Sequence, residues 1–235
     1  MTLKIAFLAA IGFYCAAIFP AAGGAEVKTS IMPGQETETI QLPEPEYAGS
    51  ISIEEALLKR RSVRSYKDGP LTIAEVSQLL WAAQGITDRG GLRTAPSAGA
   101  LYPLELYIAA GRVTGLPEGV YKYKPHDHKL TRVVKGDKRN ELCNAALGQS
   151  PVKTAPAVIV FAAVYERTTL KYGDRGVQYV HIETGHAAQN VSLQAAALNL
   201  GTVAIGAFHD DLVRKVMNMA DRERPLYIMP VGRLK

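Results

Sequence analysis

The residues Lys59-Arg60-Arg61-Ser62-Val63-Arg64-Ser65-Tyr66 put three arginines and two serines within six positions, after a helix-like stretch from Ile51 to Leu58. Arginine keeps its charge at every working pH and presents a planar fork of donors, so such a group suits a phosphate oxyanion. Read alone, the run is also what a solvated helix end looks like. A second group follows: Ala95-Pro96-Ser97-Ala98-Gly99-Ala100-Leu101-Tyr102-Pro103. Its small side chains let the backbone approach a flat or anionic ligand closely. Ser97 as the N-cap of an ordinary turn is the other reading. Together the two groups point to a phosphate-bearing organic cofactor. No G-x-x-x-x-G-K-[ST] occurs, which excludes a mononucleotide P-loop, and no G-x-G-x-x-G follows a strand to support a dinucleotide site.

Other residues with chemical potential carry less. Glu183, His186 and Asn190 share one face of a helical stretch. A carboxylate-bridged metal site needs two Glu-x-x-His helices, so no metal is expected, and the stripe reads as a pocket lining or a core hydrogen-bond network. Cys143 has no nearby base and reads as packing. His126 and His128 fall in a polar turn and read as solvated, His181 and His209 have no evident partner, and Trp81 reads as core.

These residues need elements to hold them. Ser50 or Ser52 would cap the first helix, with Glu54 and Glu55 in its first turn. Thr72 followed by Glu75 matches a capping box for a helix to Gln84. Strands are expected over Leu104–Ala110, Gly119–Tyr123, Lys129–Val134, Ala157–Val164, Thr202–Ala207 and Leu226–Val231. Further helices are expected over Lys138–Leu147 and Ile182–Leu200, the latter capped by Gly201. Strands and helices do not alternate strictly, so an α+β fold with a mixed sheet is expected.

The chain has 235 residues, 47% of them hydrophobic, and a formal net charge of +5 spread along its length. That allows a substantial core, and without a concentrated basic stripe it gives no reason to expect nucleic-acid binding. Residues 1–25 have a short basic start, an apolar stretch from Ile5 to Pro20 and small residues before Glu26. This is the layout of a signal peptide, shorter than the roughly 20 apolar residues of a membrane span, so a periplasmic or secreted chain without stable membrane insertion is expected. Residues 26–50, rich in proline and acids, read as an extended arm or linker. The compact domain is expected over residues 51–235. Only Cys143 would remain after removal of the leader, so no internal disulfide can form.

Residues 51–235 resemble the nitroreductase-like FMN-dependent oxidoreductase superfamily, and within it the SagB-type dehydrogenase branch. The resemblance is carried by Arg60 to Tyr66, Pro96 to Pro103, Lys171-Tyr172-Gly173-Asp174-Arg175-Gly176, Glu183 to Asn190, Ile205-Gly206-Ala207-Phe208 and Pro230-Val231-Gly232-Arg233, in the family order. It implies an α+β fold with a mixed or antiparallel sheet flanked by helices, and FMN bound at the interface of an obligate homodimer. By position, Arg60, Ser62 and Arg64 would hold the FMN phosphate and ribityl chain, and Arg233 would reach the same phosphate. Ser97 and Gly99 would line the isoalloxazine edge, and backbone at Gly206 and Ala207 would approach N5. Nitroreductases place Asn and Gln-Pro-Trp after the Ser loop, whereas this chain has Ala100 and Tyr102-Pro103-Leu104. The SagB-type branch shares that altered loop. In that branch a Lys-Tyr pair, matched by Lys171 and Tyr172, is implicated in oxidising thiazolines and oxazolines of modified peptides. Such enzymes work beside a cyclodehydratase in the cytoplasm, which conflicts with an export signal. The alternatives are an exported NAD(P)H-dependent reductase of nitro-aromatic or quinone-like small molecules, and a non-catalytic flavin-binding protein.

Overall fold

In the computed structural model, residues 38–235 are described. The expected leader and the first half of the arm lie outside them.

Helix starts follow local hydrogen-bond rules. Ser52 accepts from the amide of Glu55 at 3.2 Å and opens α1 (Ile53–Lys59). The capping box of α2 (Ile73–Gln84) is complete: Thr72 Oγ1 accepts from Glu75 N at 3.2 Å, and Glu75 Oε2 accepts from Thr72 N at 2.8 Å. Both orphan donors at this end are satisfied, an arrangement worth about 1 kcal/mol.

The sheet grows from two runs that are apolar except for Glu105, β3 (Leu104–Ala110) and β7 (Ala157–Ala163), paired antiparallel with Ile108 opposite Ile159. Both are enclosed on both faces, which explains why their sequences do not alternate. Outward from β3 lie β5 (Gly119–Lys124), β6 (Lys129–Lys135) and β1 (Thr39–Gln41). Outward from β7 lie β9 (Arg224–Arg233) and β8 (Leu200–Thr202). Every pairing in this seven-stranded sheet is antiparallel, while the two-residue strands β2 (Leu71–Thr72) and β4 (Val113–Thr114) form a separate parallel pair.

Helices cover both faces. One apolar cluster joins the sheet to α2 and α6 (Arg175–Ala197). The other joins it to α3 (Arg139–Ala145), α4 (Ser150–Thr154) and α7 (Asp210–Val216). A short helix, α5 (Glu166–Tyr172), packs on α6. Each large apolar side chain enclosed this way contributes about 1.5–3 kcal/mol. Among the described residues no helix is long and apolar enough to cross a membrane.

Several expectations are corrected. The described part of the arm is extended but not free, because Thr39–Gln41 pair with β6 and Leu42 is buried. Three strand residues are too few to show a period. α6 begins at Arg175, well before Ile182, and ends without using Gly201: Asn199 takes the left-handed conformation at φ 56° and Gly201 lies in β8. The strand expected over Thr202–Ala207 stops at Thr202, with only Ile205 returning to pair with Ile228. His128 is not solvated. Its ring contacts Ser77 Oγ at 2.6 Å, Pro43 O at 3.0 Å and Tyr123 Oη at 2.9 Å, tying the β5–β6 turn to α2, and burial pulls its pKa down. Trp81 is only half-buried, edge-on to Tyr47, and His181 is partnered by Tyr165. Cys143 is buried packing as expected.

Candidate functional site

The arginine run begins where α1 ends. Arg60 is the C-cap, donating to Ala56 O at 2.9 Å before the chain turns extended. Ser62 then bridges Thr202 in parallel, with Val63 N donating to Thr202 O at 2.9 Å, so β8 fixes the run at the sheet edge. Arg61 turns back to donate to the carbonyls of Leu58 and Arg60, both at 2.8 Å. Among the described residues Arg60 and Arg64 have no carboxylate partner. Arg60, Arg61, Val63, Ser192, Ala196 and Thr202 contribute to the lining of a cavity of about 500 Å³. The buried hydroxyl of Thr202 has no hydrogen-bond partner. Arg60, without a carboxylate partner, and the unsatisfied Thr202 hydroxyl both line this cavity and fit a phosphate and polyol chain, while Arg64 follows along the same run outside the lining.

Arg233, expected to reach the same phosphate, is held elsewhere. Its guanidinium donates to both carboxylate oxygens of Glu75, at 2.5 and 2.9 Å, and to Pro70 O at 3.0 and 3.2 Å. Glu75 thus caps α2 and locks β9 to it, a pairing that a capping-box pattern gives no sign of.

The Ser97 loop is strained and held from several sides. Gly99, Ala100 and Tyr102 have φ of 63°, 53° and 46°, and the two non-glycine residues cost on the order of 1 kcal/mol each. Ser97 does not cap the turn; its Oγ accepts from Tyr102 N at 2.9 Å. Arg93 lies over the Tyr102 ring, 4.4 Å from its centroid, and Arg167 on α5 donates to Tyr102 O at 3.0 Å. Arg167 also pairs with Glu105, which shares Lys122 with the buried Glu223. Nothing in the sequence singles out Arg93 or Arg167, because each acts through a partner distant along the chain.

Lys171 and Tyr172 are the last two residues of α5, and Gly173 ends it at φ 56°. A methyl group placed on Gly99 would lie 2.7 Å from Tyr172 Oη and 3.0 Å from Lys171 Nζ. The loop and the pair therefore meet at Gly99, whose φ of 63° and close neighbours both favour glycine. Lys171 Nζ is 5.3 Å from the centre of the Tyr172 ring, and Tyr179 packs edge-on against that ring.

The α6 stripe divides. His186 is exposed, while Asn190 donates to Thr94 O at 3.3 Å and Glu183 is buried, its Oε1 without a hydrogen-bond partner. Desolvation pushes the Glu183 carboxyl up to about 7, with Ser97 and Arg93 acting in the opposite direction. The folded chain then binds a proton that the unfolded chain has released above its ordinary value of 4.5. The stability of the neutral form is fully present below that value and is lost as pH rises through about 7. Glu183→Gln is expected to match the wild type near pH 5 and exceed its stability by about 2–3 kcal/mol near pH 8. Urea unfolding midpoints at the two pH values check this, and an equal difference at both would refute it.

Gly206 and Ala207 follow the Ile205 bridge on an exposed segment. Ala207 O accepts from Gln149 at 2.8 Å, whereas the amides of Gly206 and Ala207 have no partner among the described residues. They lie four and five residues beyond Thr202, at most about 13–17 Å of extended chain from the arginine run.

The predicted residues thus form two groups within one chain. Arg60, Ser62 and Arg64 share the β8 edge with Gly206 and Ala207. Ser97, Gly99, Lys171 and Tyr172 gather over Glu183. Glu183 is separated from Ser192 and Ala196, at the arginine cavity, by about 14–20 Å along α6.

Comparison with known proteins places these features in context. The model of the Nitroreductase family matches residues 57–233. A Methanocaldococcus jannaschii protein named as a nitroreductase is 51% identical over 198 residues, covering 84% of this chain and 98% of its own. The Microcin B17-processing protein McbC of Escherichia coli is 29% identical over 69% of this chain, which spans 62% of McbC. A crystal structure from Anabaena variabilis, also named as a nitroreductase, superposes with a TM-score of 0.75 at 33% identity, over 85% of this chain and 42% of that one.

Proposed function

Because the chain belongs to the nitroreductase family, we propose that it is an FMN-dependent oxidoreductase of the SagB type, with a composite site completed by a second copy. The observation that carries this reading is the meeting of Tyr172 Oη and Lys171 Nζ at Gly99, which puts a proton-transfer group and a cation beside a loop open to a flat ligand. Arg60 and Arg64 would hold the phosphate, with Ser62 and Thr202 on the polyol chain. Bound FMN would supply a two-electron acceptor and donor at its N5 atom. Free amides at Gly206 and Ala207 would donate to the ring edge. Tyr172 is positioned to take the proton a substrate releases as it loses two electrons, and the Lys171 ammonium to balance the phenolate charge.

The separation of the two groups along α6 supports the dimer, since one chain does not bring its own phosphate seat and its own ring loop together. Ile53, Leu57 and Leu58 of α1 and Ile182 of α6 are exposed apolar side chains available to such an interface. Likeness to McbC, named for processing Microcin B17, favours a peptide substrate, and the SagB-type resemblance adds azoline rings. The 51% identity to a protein named as a nitroreductase favours a second reading, reduction of nitro-aromatic or quinone-like molecules with NAD(P)H as donor. On the layout of residues 1–25 we assign the mature chain to the periplasm or the exterior, which fits the second reading better.

A visible spectrum of the purified protein tests the cofactor. Flavin bands that follow the protein through gel filtration, with about one FMN per chain in a dimer-sized species, are expected. A colourless protein that FMN cannot reconstitute would sink the proposal. With FMN bound, bleaching by NAD(P)H or by an azoline peptide separates the two substrates.

A further inference from the structure

We propose that Arg167 is a positioning residue for the Lys171–Tyr172 pair. By clamping the Tyr102 end of the Ser97 loop onto α5, it keeps Gly99 against Tyr172 Oη and Lys171 Nζ; this rests on the function proposed above. Arg167 and Lys171 are four residues apart on α5 and so share one face of that helix, about 6 Å apart along its axis. That face meets the loop twice. In the first turn, Arg167 Nη1 donates to Tyr102 O at 3.0 Å. In the last, Lys171 Nζ and Tyr172 Oη meet the loop at Gly99, three residues before Tyr102.

The other ties leave this task to Arg167. Tyr165 Oη meets His181 Nε2 at 2.5 Å and Tyr172 packs edge-on against Tyr179, contacts that fix the two ends of α5 to α6 and not to the loop. Val164 N donates to Pro103 O at 2.9 Å, a single bond about which the loop can still turn. Tyr102 sits at φ 46°, in the left-handed region that residues with a Cβ disfavour. Its amide is held by Ser97 Oγ at 2.9 Å and its ring by Arg93, both from the preceding nine residues. Only its carbonyl is held from α5, by Arg167.

The other arm of the guanidinium anchors Arg167 in turn. Nη2 donates to Glu105 Oε1, and Glu105 Oε2 pairs at 2.9 Å with Lys122, whose ammonium also pairs with Glu223. Tyr107 Oη donates to Glu223 Oε2 at 2.5 Å. The contacts thus run from β3 and β5 to the loop, and a planar fork with two donors on two acceptors sets the angle between them. Glu105 keeps Lys122 when Arg167 is replaced, so the sheet is not left with an unpaired carboxylate.

The test is stopped-flow bleaching of the flavin in FMN-loaded protein, with NADPH and with an azoline peptide as donors. Arg167→Met is expected to lower the limiting rate about 10- to 100-fold, the cost of a misplacement of about 1 Å. The half-saturating donor concentration and the FMN affinity are expected to stay within about threefold of the wild type. In a Tyr172→Phe background the same change is expected to cost less than about threefold further, because its effect passes through Tyr172. Should Arg167→Met not fold, Arg167→Lys, which keeps the charge without the fork, takes its place. Its expected loss is about threefold to tenfold, again absent in the Tyr172→Phe background. A wild-type limiting rate in the variant tested, an FMN affinity that falls in proportion to the rate, or an equal loss with and without Tyr172 Oη would overturn the inference. Those results leave the proposed function standing. No bleaching of the wild type by either donor, or no effect of Tyr172→Phe alone, removes the proposed role of the pair and this inference with it.

Discussion

Tyr172→Phe is expected to lower the rate of substrate oxidation or reduction by about 10²- to 10⁴-fold, the usual contribution of a positioned acid or base, while the purified variant keeps its flavin. The change removes one oxygen at the end of α5, so the helix and its contact with Tyr179 remain. Lys171→Met is expected to act in the same direction more weakly, since Lys171 Nζ, 5.3 Å from the Tyr172 ring, moves no proton itself. Stopped-flow observation of flavin bleaching with an azoline peptide and with NAD(P)H reads the effect directly. Should Tyr172→Phe stay within about threefold of the wild type with both donors, the pair is structural and the chemistry lies elsewhere.

Arg60→Ala and Arg64→Ala are each expected to weaken FMN retention by about 10- to 100-fold, the effect of one charge-assisted contact worth roughly 1.5–3 kcal/mol. Two neighbouring arginines make the prediction specific. Arg61 has its guanidinium on the carbonyls of Leu58 and Arg60, so Arg61→Ala should leave FMN affinity within about threefold. Arg233→Ala should lower the unfolding midpoint, because it breaks the bidentate bond to Glu75 and leaves that half-buried carboxylate unpaired. Isothermal titration with FMN, paired with melting curves, distinguishes the two behaviours. Equal losses of FMN affinity at all four positions would mean a diffuse positive surface instead of a built phosphate seat.

Much of the fold was legible because its signals are local. The capping pair Thr72 and Glu75, the cap at Ser52 and the apolar runs of β3 and β7 appear where the pattern puts them, since each is decided by hydrogen bonds or burial within a few residues. α5 was missed because Glu166 to Tyr172 has neither a cap nor an apolar stripe and is held by packing on α6. His128 was misread because its partners Ser77 and Pro43 are far away in sequence.

For the site, the sequence by itself determined the chemistry on offer: arginines beside serines, a small-residue loop, a Lys-Tyr pair and a Gly-Ala step after Ile205. Residue types and short spacings carry that information. Only the tertiary structure decided which of these meet. It brought Gly99 against Tyr172 and Lys171, buried Glu183, and paired Arg233 with Glu75. It also set the arginine run and the Ser97 loop toward different parts of α6, about 14–20 Å apart along the helix. These outcomes depend on strand order and helix packing, where contacts between residues far apart in sequence compete. No local rule ranks that competition; the buried area and charge pairing of the whole fold do.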